Sequence, residues 1–200
     1  MEFGSPGGTW PGDAPFRREW TSRLGDGKMG VNLTVFASSP HNGTHSDAPL
    51  HVIEKGAASE SLDAEAFIGD CIVLDASKGV EDTIPEHVLP KKLPVERVLF
   101  KTRVGPPPDS FPRRFKGLSL ELADALVQRH VRLIGTDAPS VDRADINGLR
   151  AHRILFDGGV TFIENLDLSR VAAGTYDLVA LPLKVSGLCA APVRALLRAK

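Results

Sequence analysis

Three of the six histidines of this chain lie within one short segment, together with a carboxylate. The segment reads Pro40-His41-Asn42-Gly43-Thr44-His45-Ser46-Asp47-Ala48-Pro49-Leu50-His51. Imidazole nitrogen and carboxylate oxygen are ligands of borderline-soft divalent metals such as zinc, and a hydrolytic site combines them with an open position for water. The whole set therefore indicates a metal site, although any one of these histidines alone is more typical of a polar surface loop.

The order of residues within this segment predicts its local conformation. It contains three residues that interrupt helices, Pro40, Gly43 and Pro49. We therefore expect a turn followed by an extended stretch. His45 and Asp47 are two residues apart, so in an extended stretch their side chains point to the same side. His41 can then fold back across the turn at Gly43.

Composition and charge limit the classes of function. The chain has 200 residues, 42% of them hydrophobic, which suits one domain with a full core. With Lys+Arg 24 against Asp+Glu 25, the formal charge is -1, so neither nucleic acid nor an anionic membrane is the expected partner. Small, weakly charged substrates are expected instead. Cys71 and Cys189 are far apart, which gives neither a disulfide framework nor a cysteine metal motif and favours a reducing cytoplasm.

We expect neither a membrane-spanning segment nor a secretion signal from the apolar stretches and the start of the chain. Apolar runs such as residues 178–181 fall far short of the ~20 residues of a membrane helix. No signal peptide opens the chain, so we expect a soluble protein that is not exported. Residues 1–8 resemble residual expression-vector sequence or a flexible lead-in, and we leave them out of the fold prediction. Residues 9–200 are predicted to form a single domain.

Strand patterns outnumber helix patterns along the chain. Alternating or compact apolar runs predict strands at 31–37, 71–75, 97–102, 132–137, 159–164 and 176–185. Helical spacing predicts a helix from Leu118 to Arg129, with Ser119 as its cap. Short helical turns are expected at 62–67 and 85–89. These patterns predict an α/β domain built on a mixed sheet, with helices covering one side.

Two further residues are candidates for the metal site. His152 precedes an apolar strand, and Glu164 closes that strand. A glutamate in this place is also typical of a solvated strand end, which would be the better interpretation if Glu164 stood alone. The proline-rich loop 105–112 follows another strand end and is expected either to border the pocket mouth or to be a plain surface connection.

The histidine segment resembles a family signature. His41-x-Gly43-Thr44-His45-x-Asp47-x-Pro49-x-His51 matches the H-x-G-T-H-x-D-x-P-x-H motif of the cyclase-like metal-dependent hydrolases, the family of the bacterial kynurenine formamidases. The resemblance extends over nearly the whole chain, through residues 10–13, 135–142, 164–166, 181–183 and 191–194.

The resemblance implies a fold, a site and a reaction. The fold is the family's β/β/α layered, swivelling-domain arrangement, usually as a homodimer or larger assembly. The implied site holds two divalent metal ions, zinc or alternatively manganese. The implied ligands are His41, His45 and Asp47 for one ion, and His152, Glu164 and the bridging Asp47 for the other. His51 would be the catalytic acid/base, and the reaction would convert N-formyl-L-kynurenine to L-kynurenine and formate in tryptophan degradation.

Elementary chemistry agrees with this reaction. Metal ions lower the pKa of bound water and stabilise the oxyanion that forms at an amide carbonyl, and an imidazole can protonate the leaving amine. Trp10, on the turn before Pro11, is expected either to lie against the aromatic substrate ring or to be a core residue. Two alternatives stay open: a related hydrolase that opens a cyclic amide such as isatin, and a non-catalytic domain with a structural ion.

Overall fold

A computed structural model describes residues 1–25, 27, 30–79, 81–144 and 148–200 of the chain. Twelve strands and two α-helices are assigned in these ranges. The strands are β1 (Arg17–Ser22), β2 (Leu33–Ala37), β3 (His45–Asp47), β4 (Ile68–Asp75), β5 (Thr83–Ile84), β6 (Arg97–Lys101), β7 (Gly117–Leu118), β8 (Leu133–Thr136), β9 (Thr161–Glu164), β10 (Gly174–Val179), β11 (Ala190–Pro192) and β12 (Leu196–Ala199). The helices are α1 (Leu120–Gln128) and α2 (Arg150–Asp157), and short 3-10 turns include Pro49–His51.

An eight-stranded mixed sheet organises the molecule, in the order β11-β3-β9-β8-β6-β4-β10-β12. Its central strands β4, β6, β8 and β9 are parallel, whereas the outer strands pair antiparallel. The register of β3 against β9 sets His45 opposite Glu164. A histidine of the signature segment and a glutamate more than a hundred residues later are therefore neighbours across two strands.

The sheet has a different cover on each face. On one face α1 and α2 pack together over apolar side chains of the central strands, including Val98, Ile134 and Phe162. On the other face a second apolar cluster contains Phe67, Leu99 and Leu178, and no α-helix contributes a buried residue to it within the described ranges. The predicted single-domain α/β fold, with a mixed sheet and helices on one side, is confirmed.

Most predicted elements are found, with shifted ends. The helix predicted at 118–129 is α1, and the Ser119 hydroxyl accepts the N–H of Leu122 at its start. The strand predicted at 176–185 ends earlier, at Val179, and further along the run Pro182 makes only an isolated antiparallel bridge with Val193. Proline lacks the N–H that a continued sheet ladder would need. None of the described α-helices has the combined length and apolar character of a membrane span.

Helix α2 was not predicted from the sequence. The residue at its N-cap position, Leu149, cannot accept hydrogen bonds through its side chain and has a left-handed backbone with φ 47°. Asp142 performs the capping instead, accepting the N–H groups of Ala151 and His152 at 3.0 and 3.1 Å. The cap therefore comes from a loop several residues upstream, where patterns of consecutive residues do not reveal it.

Two segments lie outside the main sheet. Strands β1 and β2 form a separate antiparallel ribbon with large exposed side chains, among them Trp20, Val35 and Phe36. The segment 1–8 contacts the domain: the amine of Met1 donates to the carbonyl of Asn165 at 2.9 Å and also contacts the hydroxyl of Thr44. The origin of residues 1–8 stays a prediction.

Candidate active site

The structure brings all seven predicted site residues to one cavity of about 540 Å³. Strand β3 carries His45 and Asp47, the preceding turn carries His41, and the following 3-10 turn carries His51. Helix α2 supplies His152 and the end of β9 supplies Glu164, while Trp10 lies on the wall.

Asp47 is at the centre of the histidines. Its Oδ1 lies 2.9 Å from Nδ1 of His41 and 3.2 Å from Nε2 of His45. Its Oδ2 lies 3.2 Å from Nε2 of His152 and 3.8 Å from Nε2 of His51. Each carboxylate oxygen of Asp47 therefore faces its own pair of imidazoles. His45 and Asp47 point to the same side, and His41 folds back across the turn at Gly43, which has φ 65°. Both features were expected from the sequence and are confirmed.

Glu164 lies beside the same histidines. Its Oε2 is 3.5 Å from Nε2 of His45, and its Oε1 is 3.7 Å from Nε2 of His152. The backbone N–H of Val141 donates to Oε1 at 2.8 Å and holds the carboxylate in this orientation. Two buried carboxylates thus share the space between His45 and His152.

Hydrogen bonds on the outer ring nitrogens decide which atoms of the histidines face inward. Nδ1 of His45 lies 3.0 Å from the carbonyl oxygen of Gly43, which can only accept, so Nδ1 carries the proton. Nδ1 of His152 lies 2.6 Å from the Asp142 carboxylate and is protonated for the same reason. In both rings Nε2 is then the nitrogen that faces the carboxylates, and it is the atom that would ligate a metal ion after losing its proton.

The donor set fits a divalent cation. Nε2 of His45 and both carboxylate oxygens of Asp47 are buried, and none makes a hydrogen bond of acceptable geometry within the described chain. Buried polar atoms are rarely left unpaired in proteins, because desolvation of such atoms costs free energy. A cation held by nitrogen and oxygen ligands would satisfy all three. The described residues contain two such groups that share Asp47: His41, His45 and Asp47, and Asp47, His51 and His152.

The pKa values of the two buried carboxylates and of the histidines are shifted by burial and by their close neighbours. Burial would raise the pKa of Asp47, but the surrounding histidines hold it well below its usual range. Burial and the nearby charge of Asp47 raise the pKa of Glu164 to about 7. Burial opposes protonation of His152, but Asp142 and Asp47 raise its pKa to about 10. The two carboxylates therefore favour positive charge beside them, either on protonated imidazoles or on a bound cation.

His51 differs from the other histidines of the cluster. Its side chain is 30% exposed, whereas those of His45 and His152 are each 2% exposed. Burial lowers its pKa, and the neighbouring histidines reinforce this beyond the opposing effect of Asp47. A cavity-lining imidazole that is neutral at neutral pH can accept a proton and return it.

Aromatic rings form the wall across the cavity. Trp10 is 37% exposed, so it is not a core residue. Its ring centroid lies 4.8 Å from that of Phe111, which also lines the cavity. Phe115 packs behind this pair, 6.1 Å from Trp10. The expectation that loop 105–112 borders the pocket is confirmed through Phe111.

Three residues of the site were not predicted from the sequence. Asp142 orients His152, Sγ of Cys189 lies 3.2 Å from Nε2 of His41, and Asn165 lines the cavity next to Glu164. Asp142 lies within residues 135–142, a segment that carries the family resemblance, and this resemblance could have marked it as a candidate site residue. Cys189 is 148 residues from His41 in the sequence, and no local pattern connects them.

Comparisons with known proteins identify relatives along nearly the whole chain. The model of the Cyclase family matches residues 6–143. A protein of Salinibacter ruber named kynurenine formamidase is 43% identical over 191 residues, covering 94% of this chain and 90% of that protein.

Solved structures give the same result at the level of the fold. A structure titled as a potential metal-dependent hydrolase with cyclase activity has a TM-score of 0.79 at 30% identity, covering 98% of this chain and 92% of that one. Isatin hydrolase A from Labrenzia aggregata has a TM-score of 0.74 at 25% identity, covering 92% and 83%. By the family match, by sequence identity over nearly its full length and by fold, this chain belongs to the Cyclase family.

Proposed function

We propose that this chain is a metal-dependent arylformamidase that hydrolyses N-formyl-L-kynurenine to L-kynurenine and formate in tryptophan degradation. The observation that carries the proposal is the cavity itself, which sets a buried cluster of histidines and carboxylates against a wall formed by Trp10 and Phe111. A metal site that activates water and an aromatic surface that binds the ring together suit the hydrolysis of an aryl formamide. The kynurenine formamidase of Salinibacter ruber, at 43% identity, supports the same substrate.

We assign the metal ligands as two sets that share Asp47. His41, His45 and Asp47 would hold one ion, and His152, Glu164 and Asp47 the other. The placement of two imidazoles at each carboxylate oxygen of Asp47 supports this assignment. We do not count His51 as a ligand, because its Nε2 is the most distant of the four imidazole nitrogens, 3.8 Å from Oδ2 of Asp47. His51 is assigned instead as a proton carrier. Zinc suits nitrogen and carboxylate ligands, and manganese is the alternative.

When bound, the ions supply Lewis-acid chemistry, which activates water and polarises the formyl carbonyl. The chain's own residues perform the remaining tasks. Trp10 and Phe111 hold the aryl ring. His51 in its neutral form takes a proton from the attacking water as oxygen bonds to the formyl carbon. It then gives this proton to the aryl nitrogen as the C–N bond breaks, so that the amine leaves uncharged.

A second candidate is hydrolysis of a cyclic amide, because isatin hydrolase A shares the fold with a TM-score of 0.74. A purely structural ion is less compatible with the geometry, since structural zinc sites are closed, whereas this cluster opens into a cavity of about 540 Å³.

Turnover of N-formyl-L-kynurenine and isatin by the same metal-loaded preparation tests the proposal. We expect kcat/KM for the formamide to exceed that for isatin by at least about 100-fold, a difference of roughly 2.7 kcal/mol in transition-state stabilisation. A preference for isatin would transfer the assignment to the cyclic-amide hydrolases. Inactivity on both, with metal bound, would favour the structural ion.

The setting of the enzyme is also part of the proposal. We place it in the cytoplasm as a homodimer or larger homo-oligomer, with residues 9–200 as its domain. The free thiols Cys71 and Cys189 support a reducing compartment. The exposed Trp20, Val35 and Phe36 on the β1–β2 ribbon support association between subunits. Sedimentation velocity of the full chain would determine its state.

A further inference from the structure

Asn165 has an unusual backbone conformation directly beside the candidate metal cluster. Its φ is 57°, in the left-handed region, which among the described residues other than glycine is shared only with His130 and Leu149. Asparagine tolerates this region better than most residues, but the conformation still has a cost and persists only where the surroundings impose it. Such outliers cluster at functional sites.

The left-handed turn changes the direction of the Asn165 side chain. Along a regular strand, neighbouring side chains point to opposite faces, so residues 164 and 165 would be separated by the sheet. Here Glu164 and Asn165 both line the same cavity. Backbone hydrogen bonds fix the turn: the N–H of Asn165 donates to Ala138 at 2.9 Å, and its carbonyl accepts from the hydroxyl of Thr44 at 2.7 Å.

The side chain, in contrast, is unsatisfied. Asn165 is only 2% exposed, and its Oδ1 is buried without a hydrogen-bond partner. Its Nδ2 is not among these buried unpaired atoms, and within the described part of the chain it has no hydrogen-bond partner. A carboxamide on a cavity wall whose buried Oδ1 is unpaired and whose Nδ2 is free to donate points to a ligand that pairs with it, because burial of Oδ1 without a partner is unfavourable.

We propose that Asn165 is a further catalytic residue, whose Nδ2 donates a hydrogen bond to the formyl oxygen of the substrate. This inference rests on the proposed formamidase function. The formyl oxygen gains negative charge when the carbonyl carbon becomes tetrahedral, so the hydrogen bond strengthens in the transition state. Asn165 transfers no proton: the proton of the attacking water follows the route through His51 to the aryl nitrogen. Oδ1, the buried unpaired atom, is left to accept a hydrogen bond from a donor of the bound substrate.

The substitution Asn165→Gly tests this role, since glycine adopts the left-handed region without strain and removes only the carboxamide. We expect kcat for N-formyl-L-kynurenine to fall by about 100-fold or more, as on loss of a donor to an oxyanion. The metal content should not change. The affinity for the product L-kynurenine, which lacks the formyl oxygen, should also stay the same when measured by ligand titration.

Two further variants separate the carboxamide from the backbone. His130→Gly is the matched control, because His130 is exposed, lies outside the cavity and has φ 56°. It should keep wild-type kinetics. Asn165→Asp keeps the shape of the side chain and in its ionised form has no donor, so at a pH where this carboxyl is ionised it should show the same loss of kcat if the glycine variant folds poorly.

Any other result contradicts the proposed role of Asn165, and the kind of change shows why. If both variants at 165 keep kcat, or if only KM and product affinity change, Asn165 does not act in the transition state. Loss of metal would show that it supports Glu164 instead. In all three cases an active wild type leaves the formamidase assignment intact. A metal-loaded wild type that does not hydrolyse the formamide would overturn the function and this inference together.

Discussion

The imidazole of His152 and the carboxylate of Asp142 are joined by a hydrogen bond of 2.6 Å between Nδ1 and Oδ2. The same carboxylate accepts the backbone N–H groups of Ala151 and His152. Asp142 therefore starts helix α2 and orients the ring that the helix carries. Burial opposes its ionisation, but His152 and these N–H donors hold the pKa of Asp142 below its usual range.

We predict that Asp142→Ala weakens metal binding by about 10- to 100-fold, because the ring of His152 loses the partner that fixes its tautomer and direction. Asp142→Asn should lie between this variant and the wild type, since an amide oxygen still accepts. Competition with a chromophoric chelator measures the affinity.

Ser119→Ala is the control for the capping role of Asp142. Ser119 caps α1 through the N–H of Leu122, away from the metal cluster. Its loss should lower the free energy of unfolding by about 1 kcal/mol and leave metal affinity unchanged. If Asp142→Ala behaved in the same way, Asp142 would be only a helix cap.

We predict that the purified protein binds about two divalent ions per chain and that Glu164→Ala retains about one, because Glu164 serves only the second ion. Metal analysis after desalting gives the stoichiometry. Glu121→Ala, which removes an exposed carboxylate in the first turn of α1, should keep both ions. One ion in the wild type, unchanged in Glu164→Ala, would contradict the dinuclear site.

We predict that His51→Ala keeps its metal but loses turnover by about 100-fold or more, since His51 carries protons and is not a ligand. The pH profile gives an independent readout. Burial holds the pKa of His51 below 6.5, so its neutral, active form is present above that pKa. Protonation of His51 should therefore contribute a fall in activity as the pH drops through a value below 6.5, and this contribution should be missing in the variant. Loss of metal from His51→Ala would instead make His51 a ligand.

We predict that Phe111→Ala raises KM for N-formyl-L-kynurenine and leaves kcat and metal content nearly unchanged. The ring binds substrate and transition state equally, so its loss weakens binding alone. Phe115→Ala is the matched control: Phe115 contacts the same tryptophan but does not line the cavity. An unchanged KM for Phe111→Ala would make loop 105–112 a connector only.

The sequence alone determined the features that depend on residues close together in the chain. The spacing of His45 and Asp47 and the turn at Gly43 follow from backbone geometry, which acts over a few residues. Helix α1 was also predictable, because its capping residue and its apolar residues are neighbours in the sequence. The family signature within residues 41–51 added the membership that the comparisons confirm.

Only the tertiary structure decided how distant segments meet. The register between β3 and β9 sets Glu164 against His45, and Asp142 caps a helix that begins several residues later. Cys189 reaches His41 across 148 residues, and the left-handed backbone of Asn165 brings its carboxamide into the cavity. These relationships depend on strand pairing and packing between remote parts of the chain, and local patterns of apolar and polar residues carry no information about them.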